Sequence, residues 1–141
     1  MRYDVVIIGA GAAGFACALT LGSANDKFDW AKDKKYLILD DNKSDLNVGK
    51  YFNVAGVDSG INGVDLLIKM KKQLEIYKDV ELKDEKATKI ENLGEYFKIT
   101  TENSTYEASI VVLATGLHKF DIECEGVNVK DNIFVPKPNN I

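Results

Sequence analysis

The apolar positions of this chain fall into runs of two different periods. Val5-Val6-Ile7-Ile8, entered through Asp4, is an unbroken β-branched run closed by glycine. A run without polar alternation suits a strand covered on both faces, as in a parallel sheet. Gly9-Ala10-Gly11-Ala12-Ala13-Gly14 follows at once, and then Phe15-Ala16-Cys17-Ala18-Leu19-Thr20-Leu21. The second stretch is small and helix-forming, with Gly22 offering a C-terminal cap. Residues 23–35 are polar and lysine-rich, with Phe28 and Trp30 as isolated aromatics. They read as a surface excursion before Tyr36-Leu37-Ile38-Leu39, a second apolar strand that ends in Asp40-Asp41. Strand, helix and strand make one βαβ unit.

Residues 41–61 carry no helical or strand period and are punctuated by Gly49, Gly56 and Gly60, a long loop of the kind that more often serves function than packing. Asn62 then offers an N-cap, and Leu67, Met70, Leu74 and Tyr77 recur at three- and four-residue steps, which predicts an amphipathic helix lying on a sheet. From Val80 to Ala108 the pattern shortens. Ala87–Glu91, Tyr96–Thr101 and Thr105–Ala108 are separated by Asn92-Leu93-Gly94 and Glu102-Asn103-Ser104, and so predict a three-stranded antiparallel meander. Ile110-Val111-Val112-Leu113 is a further all-apolar strand running into Ala114-Thr115-Gly116. Beyond it the chain is weakly patterned, 123–141 most of all, with one short apolar run at Ile133-Phe134-Val135. The expected fold is α/β and Rossmann-like: a parallel sheet with the meander as a crossover, in a single domain over 1–141.

Composition narrows the function. At 141 residues and 45% hydrophobic, the chain can bury one core without disulfides or a structural metal. Net charge is −4 and Arg2 is the sole arginine, so no basic stripe is available for nucleic acid or an anionic membrane. No apolar run approaches the ~20 residues of a membrane span, and the first residues lack the secretory pattern, which makes the cytoplasm the expected location. Cys17 and Cys124 form no C-x-x-C pair, and His118 is the one histidine. Neither a metal site nor an in-chain dithiol is expected.

The chemistry concentrates in Gly9-x-Gly11-x-x-Gly14. In a strand–turn–helix setting Gly9 permits the tight turn, Gly11 lets the backbone approach a pyrophosphate, and Gly14 lets the helix pack closely on the strand. Free N–H groups and the positive end of the helix dipole then face the phosphates. The fingerprint alone is weak. Here an apolar strand precedes it, a small-residue helix follows, and an acid ends the second strand. Asp40 would accept hydrogen bonds from a ribose 2′-hydroxyl and repel a 2′-phosphate, so the expected ligand is an adenine dinucleotide with free ribose hydroxyls. It lies 26 residues after Gly14, against about 20 in the usual spacing, and the surplus falls in the polar 23–35 stretch.

The opening D-V-V-I-I-G-A-G-A-A-G-F-A-C-A, the meander and the later V-V-L-A-T-G together resemble the two-dinucleotide-binding-domain flavoproteins, above all the FAD domain of thioredoxin-reductase-like enzymes. Tyr51-Phe52-Asn53-Val54-Ala55-Gly56 and the helix after it are similar to that group's Asn-x-x-Gly loop and helix, and the likeness spans most of 1–116. The resemblance implies FAD as cofactor, with NAD as the alternative that the fingerprint alone leaves open. It implies that Gly9, Gly11, Ala12, Ala13 and Gly14 cradle the pyrophosphate and that Asp40, followed by Asp41, holds the adenosine ribose. By the same likeness Ala87 contacts adenine through its backbone, Asn53 stands near the flavin or ribityl end, and Ala114, Thr115 and Gly116 run beside the cofactor.

The chain departs from that pattern in four places. It has no second glycine fingerprint for NAD(P)H, no C-x-x-C, and no late Gly-Asp segment after Gly116, and the expected Gly-Gly-Gln is reduced to Asn47-Val48-Gly49-Lys50. The functional expectation is therefore a minimal flavoprotein, with a homodimer or a separate redox protein as partner. A non-catalytic dinucleotide-binding or interaction module is the competing expectation. No catalytic residue is assigned. Cys17 reads as a small buried apolar group and Cys124, between two glutamates, as inert. His118 could place a proton near a flavin but reads first as a solvated loop histidine.

Overall fold

The computed structural model describes residues 2–116 and the backbone of 123–125. Strand β1 (Arg2–Ile8) runs into helix α1 (Ala12–Asn25), and β2 (Tyr36–Asp40) follows as the βαβ pattern requires. A two-residue hairpin, β3 (Lys50–Tyr51) with β4 (Ile61–Asn62), precedes α2 (Gly63–Leu74). The remaining strands are β5 (Val80–Asp84), β6 (Ala87–Asn92), β7 (Phe97–Thr101), β8 (Thr105–Leu113) and the short β9 (Glu123–Glu125).

All strands except β3 and β4 form one seven-stranded sheet in the order β5-β2-β1-β8-β7-β6-β9. Pairing is parallel from β5 through β8, and antiparallel where β7 joins β8 and β6. This is the α/β, Rossmann-like arrangement with a meander crossover that the pattern predicts. Two elements differ from the expectation. Val80–Asp84 is not a prelude to the meander but the outer parallel strand, in register with β2 from Tyr36↔Val80 to Asp40↔Asp84. Its half-exposed side chains lack the all-apolar mark of the central strands, because only one edge of β5 is covered. The meander's third strand and Ile110–Leu113 are likewise one nine-residue strand. The first half of β8 pairs with β7, and most of its length pairs with β1. Ser109 gives a polar break in the sequence but no break in the backbone.

Alternation along β1 divides the core between the two sheet faces. Val5 and Ile7 pack with Phe15, Ala18, Ile38 and Leu74 under the helices. Val6 and Ile8 pack with Leu37, Leu39, Ile90, Ile99 and Ala108 on the meander side. Helix α2 begins where Asn62 suggested: its side-chain oxygen accepts from the Val64 N–H at 3.0 Å. Tyr77 lies beyond the end of α2, and Gly22 is no cap either. It is buried three residues before the end of α1, where an added Cβ would come within 2.8 Å of Tyr77. The absent side chain at Gly22 lets the segment after α2 lie against α1. The excursion 23–35 contains one short 3-10 turn, Asp29–Ala31, and Phe28 and Trp30 stack on each other in solvent with centroids 5.8 Å apart. No helix among the described residues is long and apolar enough to cross a membrane.

Candidate functional site

Three strand ends meet at one place. Registers Ile8↔Leu39 and Ile8↔Leu113 bring the carboxyl ends of β2, β1 and β8 level, so Asp40, Gly9 and Ala114 lie side by side. Ligands of open α/β sheets bind in such a crevice. The backbone locks the three turns together: Gly9 N–H donates to the Leu39 carbonyl and Ala114 N–H to the Ile8 carbonyl, each at 2.8 Å.

The three glycines of the fingerprint differ in what surrounds them. Gly9 has φ +103°, and a Cβ there would run into the Ala114 carbonyl. A Cβ on Gly14 would run into the Gly9 carbonyl, so this residue sets the close approach of α1 to β1. Gly11 has φ −78°, a conformation open to any residue, and among the described residues a Cβ there would find only Ser44 Oγ, at 3.4 Å, within 4 Å. The fold therefore demands glycine at 9 and 14, whereas a Cβ at position 11 would meet ordinary contact with Ser44 alone among the described residues. Ala12 and Ala13 stand exposed in the first turn of α1. Among the described residues no side chain caps α1, and no acid occupies its first turn, so its N-terminal N–H groups and dipole suit an anion. The residues present fit a diphosphate.

Asp40 has work the sequence did not reveal. Its Oδ1 accepts from the Ala10 N–H at 2.8 Å and its Oδ2 from the Asn42 N–H at 3.0 Å, so one carboxylate fixes both the glycine turn and the loop after β2. An ionised carboxylate has about four acceptor positions, which leaves capacity for ribose hydroxyls. Asp41 turns into its own loop instead, accepting from the Lys43 N–H at 3.2 Å. Ala87 opens β6 and is buried in the same apolar cluster as Leu39. Thr115 and Gly116 continue from Ala114 at the rim, Gly116 with φ +77°. Asn53 is exposed in the loop between β3 and β4, and no hydrogen bond ties it to the glycine turn or to residues 114–116.

The turn at Ser44 and Asp45 escaped the sequence reading. Ser44 caps the 3-10 helix Asp45–Asn47 by accepting from the Leu46 N–H at 3.3 Å, and that helix docks where Gly63 would otherwise bear a Cβ against the Leu46 carbonyl. The turn thus faces both Gly11 and Gly116, where a Cβ would lie 3.5 Å from Asp45 Oδ2. The Ser-Asp pair is a recognisable capping signal, but nothing local says which groove the cap overlooks.

Cys17 is half-buried against the helix-side core, and burial pushes its thiol pKa up, away from reactivity. His118, the side chain of Cys124 and Ile133–Val135 lie outside the described residues.

Comparison with known proteins places these features in a family setting. Residues 3–138 match the family described as pyridine nucleotide-disulphide oxidoreductase. A thioredoxin reductase of Treponema pallidum is 32% identical over 114 residues, covering 81% of this chain and 35% of that protein. Among solved structures, a thioredoxin reductase from Gloeobacter violaceus superposes with a TM-score of 0.73 at 27% identity, over 84% of this chain and 38% of its own. That of Streptococcus pyogenes gives 0.71 at 33% identity, over 84% and 37%. The chain thus spans little more than a third of the relatives it matches.

Proposed function

The chain belongs to the pyridine nucleotide-disulphide oxidoreductase family, and from that premise we propose that it binds FAD as the flavin-carrying part of a thioredoxin-reductase-like oxidoreductase. The observation that carries this reading is the contrast among the three glycines. Positions 9 and 14 are glycine for the fold, while at position 11, at a helix N-terminus that no described side chain caps, a Cβ would meet no clash.

In this reading the first-turn N–H groups of Ala12, Ala13 and Gly14 hold the diphosphate, and Asp40 receives the adenosine ribose. Ala87 lies toward adenine. Ala114, Thr115 and Gly116 line the path toward the flavin, with Asn53 beyond them. FAD, when bound, supplies the electron or hydride transfer. The protein's own residues bind and orient it: the Gly9 turn fixes the angle at which α1 meets the diphosphate, and Asp40 holds that turn through Ala10.

Thioredoxin reduction, the activity in the relatives' names, belongs to proteins of which this sequence spans little more than a third. This sequence has neither a C-x-x-C nor a second glycine fingerprint. The test is the visible spectrum of the purified protein with its flavin content after denaturation, followed by anaerobic addition of NADH or NADPH. The expected result is bound flavin with slow or no bleaching. A colourless protein that takes up no added FAD contradicts the proposal.

A second reading, a binding or interaction module completed by a second copy or a separate redox protein, is favoured by one observation. Residues 109–113 of β8 pair only with β1 among the described residues, and Ile110 and Leu113 on this half-strand are 55% and 39% exposed. A half-open apolar strand beside the site invites another segment. Flavin binding that appears only in a dimer or a complex would select this reading.

A further inference from the structure

Helix α2 has a second face that the cofactor reading does not use. Leu66 and Leu74 are buried, and Leu67 and Met70 pack against the helix-side core, so the inward face of α2 holds the fold. Asp65, Ile68, Lys69 and Lys72 recur at three- and four-residue steps on the other side. That stripe is one wall of a cleft of about 590 Å3, and the hairpin of β3 and β4 is the other, with Lys50 and Asp58. The volume falls within the roughly 300–1,000 Å3 of small-molecule sites. Among the described residues, none of segments 9–14, 40–45 or 114–116 lines it.

The walls are tied together by backbone bonds. Gly60 N–H donates to the Tyr51 carbonyl at 2.9 Å and Ile61 N–H to the Asp58 carbonyl at 3.1 Å, which closes the hairpin turn. Gly63 N–H donates to the Gly49 carbonyl at 3.1 Å and fastens the start of α2 to the hairpin. The charges on these walls are not matched to one another. Among the described residues, none of Lys50, Lys69, Lys72, Asp58 and Asp65 forms an ion pair. Both signs meet at the hairpin end, where Lys50 pairs with Asn62 beside the first turn of α2. The other end is cationic: Lys69 and Lys72 lie one and two turns beyond Asp65, about 6 and 10 Å along the axis. Ile68, 47% exposed, offers apolar surface between them. We propose that this cleft binds a compact organic acid. Its carboxylate or sulfonate meets Lys69 and Lys72, its apolar body lies on Ile68, and a hydrogen-bond donor at its far end meets Asp58 and Asp65. None of the residues assigned to FAD takes part, so the inference stands apart from that reading.

The test is calorimetric titration of the full chain with three probes: the 1,5-isomer of aminonaphthalenesulfonate, naphthalenesulfonate without the amine, and aminonaphthalene without the sulfonate. The first should saturate at one per chain, and each of the others should bind more weakly. Lys69→Gln and Lys72→Gln should each weaken the first probe about two- to fivefold, the range of an exposed ion pair, and together about tenfold. Lys69→Arg should retain binding. Asp65→Asn should weaken the aminated probe and leave naphthalenesulfonate no weaker. All these side chains are exposed, so the variants should fold, which circular dichroism checks. Lys71→Gln removes the same charge from the same helix outside the cleft and should change nothing. An equal loss in Lys71→Gln would assign the binding to diffuse charge and overturn the proposal. Displacement of the probe by excess FAD would place it in the cofactor crevice and do the same, as would the absence of saturable binding.

Discussion

At the scale of single residues, Gly9, Gly11 and Gly14 separate what the fold needs from what a ligand needs. Gly9→Ala forces an L residue to φ +103° against the Ala114 carbonyl, and Gly14→Ala drives a methyl into the Gly9 carbonyl. Each should destabilise the protein by roughly 2–5 kcal/mol in urea denaturation. Gly11→Val meets only Ser44 Oγ and should stay within about 1 kcal/mol of wild type, yet abolish FAD and ADP binding by filling the approach to the diphosphate. A Gly11→Val protein as unstable as the Gly9 variant would show that residue 11 is also structural. Asp40→Ala should cost both properties, about 1–3 kcal/mol of stability for the two backbone N–H groups it leaves without their acceptor, and a loss of FAD affinity. The roles of Gly9 and Gly14 were legible in the sequence because their spacing is set by one local turn. The bond from Asp40 to Ala10 and the position of Ser44 were not, since both depend on loops from different strands meeting at one sheet edge.

At the scale of elements, polar groups fasten the sheet's outer strands to its centre. The Tyr3 hydroxyl on β1 donates to Glu81 on β5 at 3.0 Å, across the intervening β2. Burial, with the hydrogen bond to Glu81 and its negative charge, pushes the Tyr3 pKa up to about 12. The folded state thus holds a proton that the unfolded chain releases near pH 10. The stabilisation is complete below pH 10 and is lost as pH rises toward 12, an effect of about 2–3 kcal/mol. Tyr3→Phe should flatten the fall in stability between pH 10 and 12 in denaturation curves, and an unchanged slope would assign it to other groups.

Glu85, just past β5, works in the opposite direction. The hydroxyls of Thr101, at 2.6 Å, and Tyr106, at 2.8 Å, hold its carboxyl below the usual range, against a smaller opposing effect of burial. Its contribution is present above the ordinary glutamate pKa and is lost as pH falls through the lowered folded value. Glu85→Gln should therefore narrow the stability gap between pH 6 and pH 3, read from urea midpoints. The meander to which Glu85 is tied was legible from its turns. The identity of β5 as a parallel strand was not, because an outer strand with one covered edge loses the apolar run that marks β1, β2 and the far half of β8.

At the scale of the whole molecule, segments 9–14, 40–45 and 114–116 come together at the carboxyl ends of β2, β1 and β8, where we propose that the cofactor binds. The central claim is that this site takes one FAD through the diphosphate at residue 11. The most direct measurement is an equilibrium titration of FAD into flavin-free protein, wild type and Gly11→Val side by side, followed by quenching of flavin fluorescence, with circular dichroism to verify that both are folded. The wild type should saturate at one FAD per chain and the variant should bind none. No saturable binding by the wild type, or equal binding by both proteins, would contradict the account.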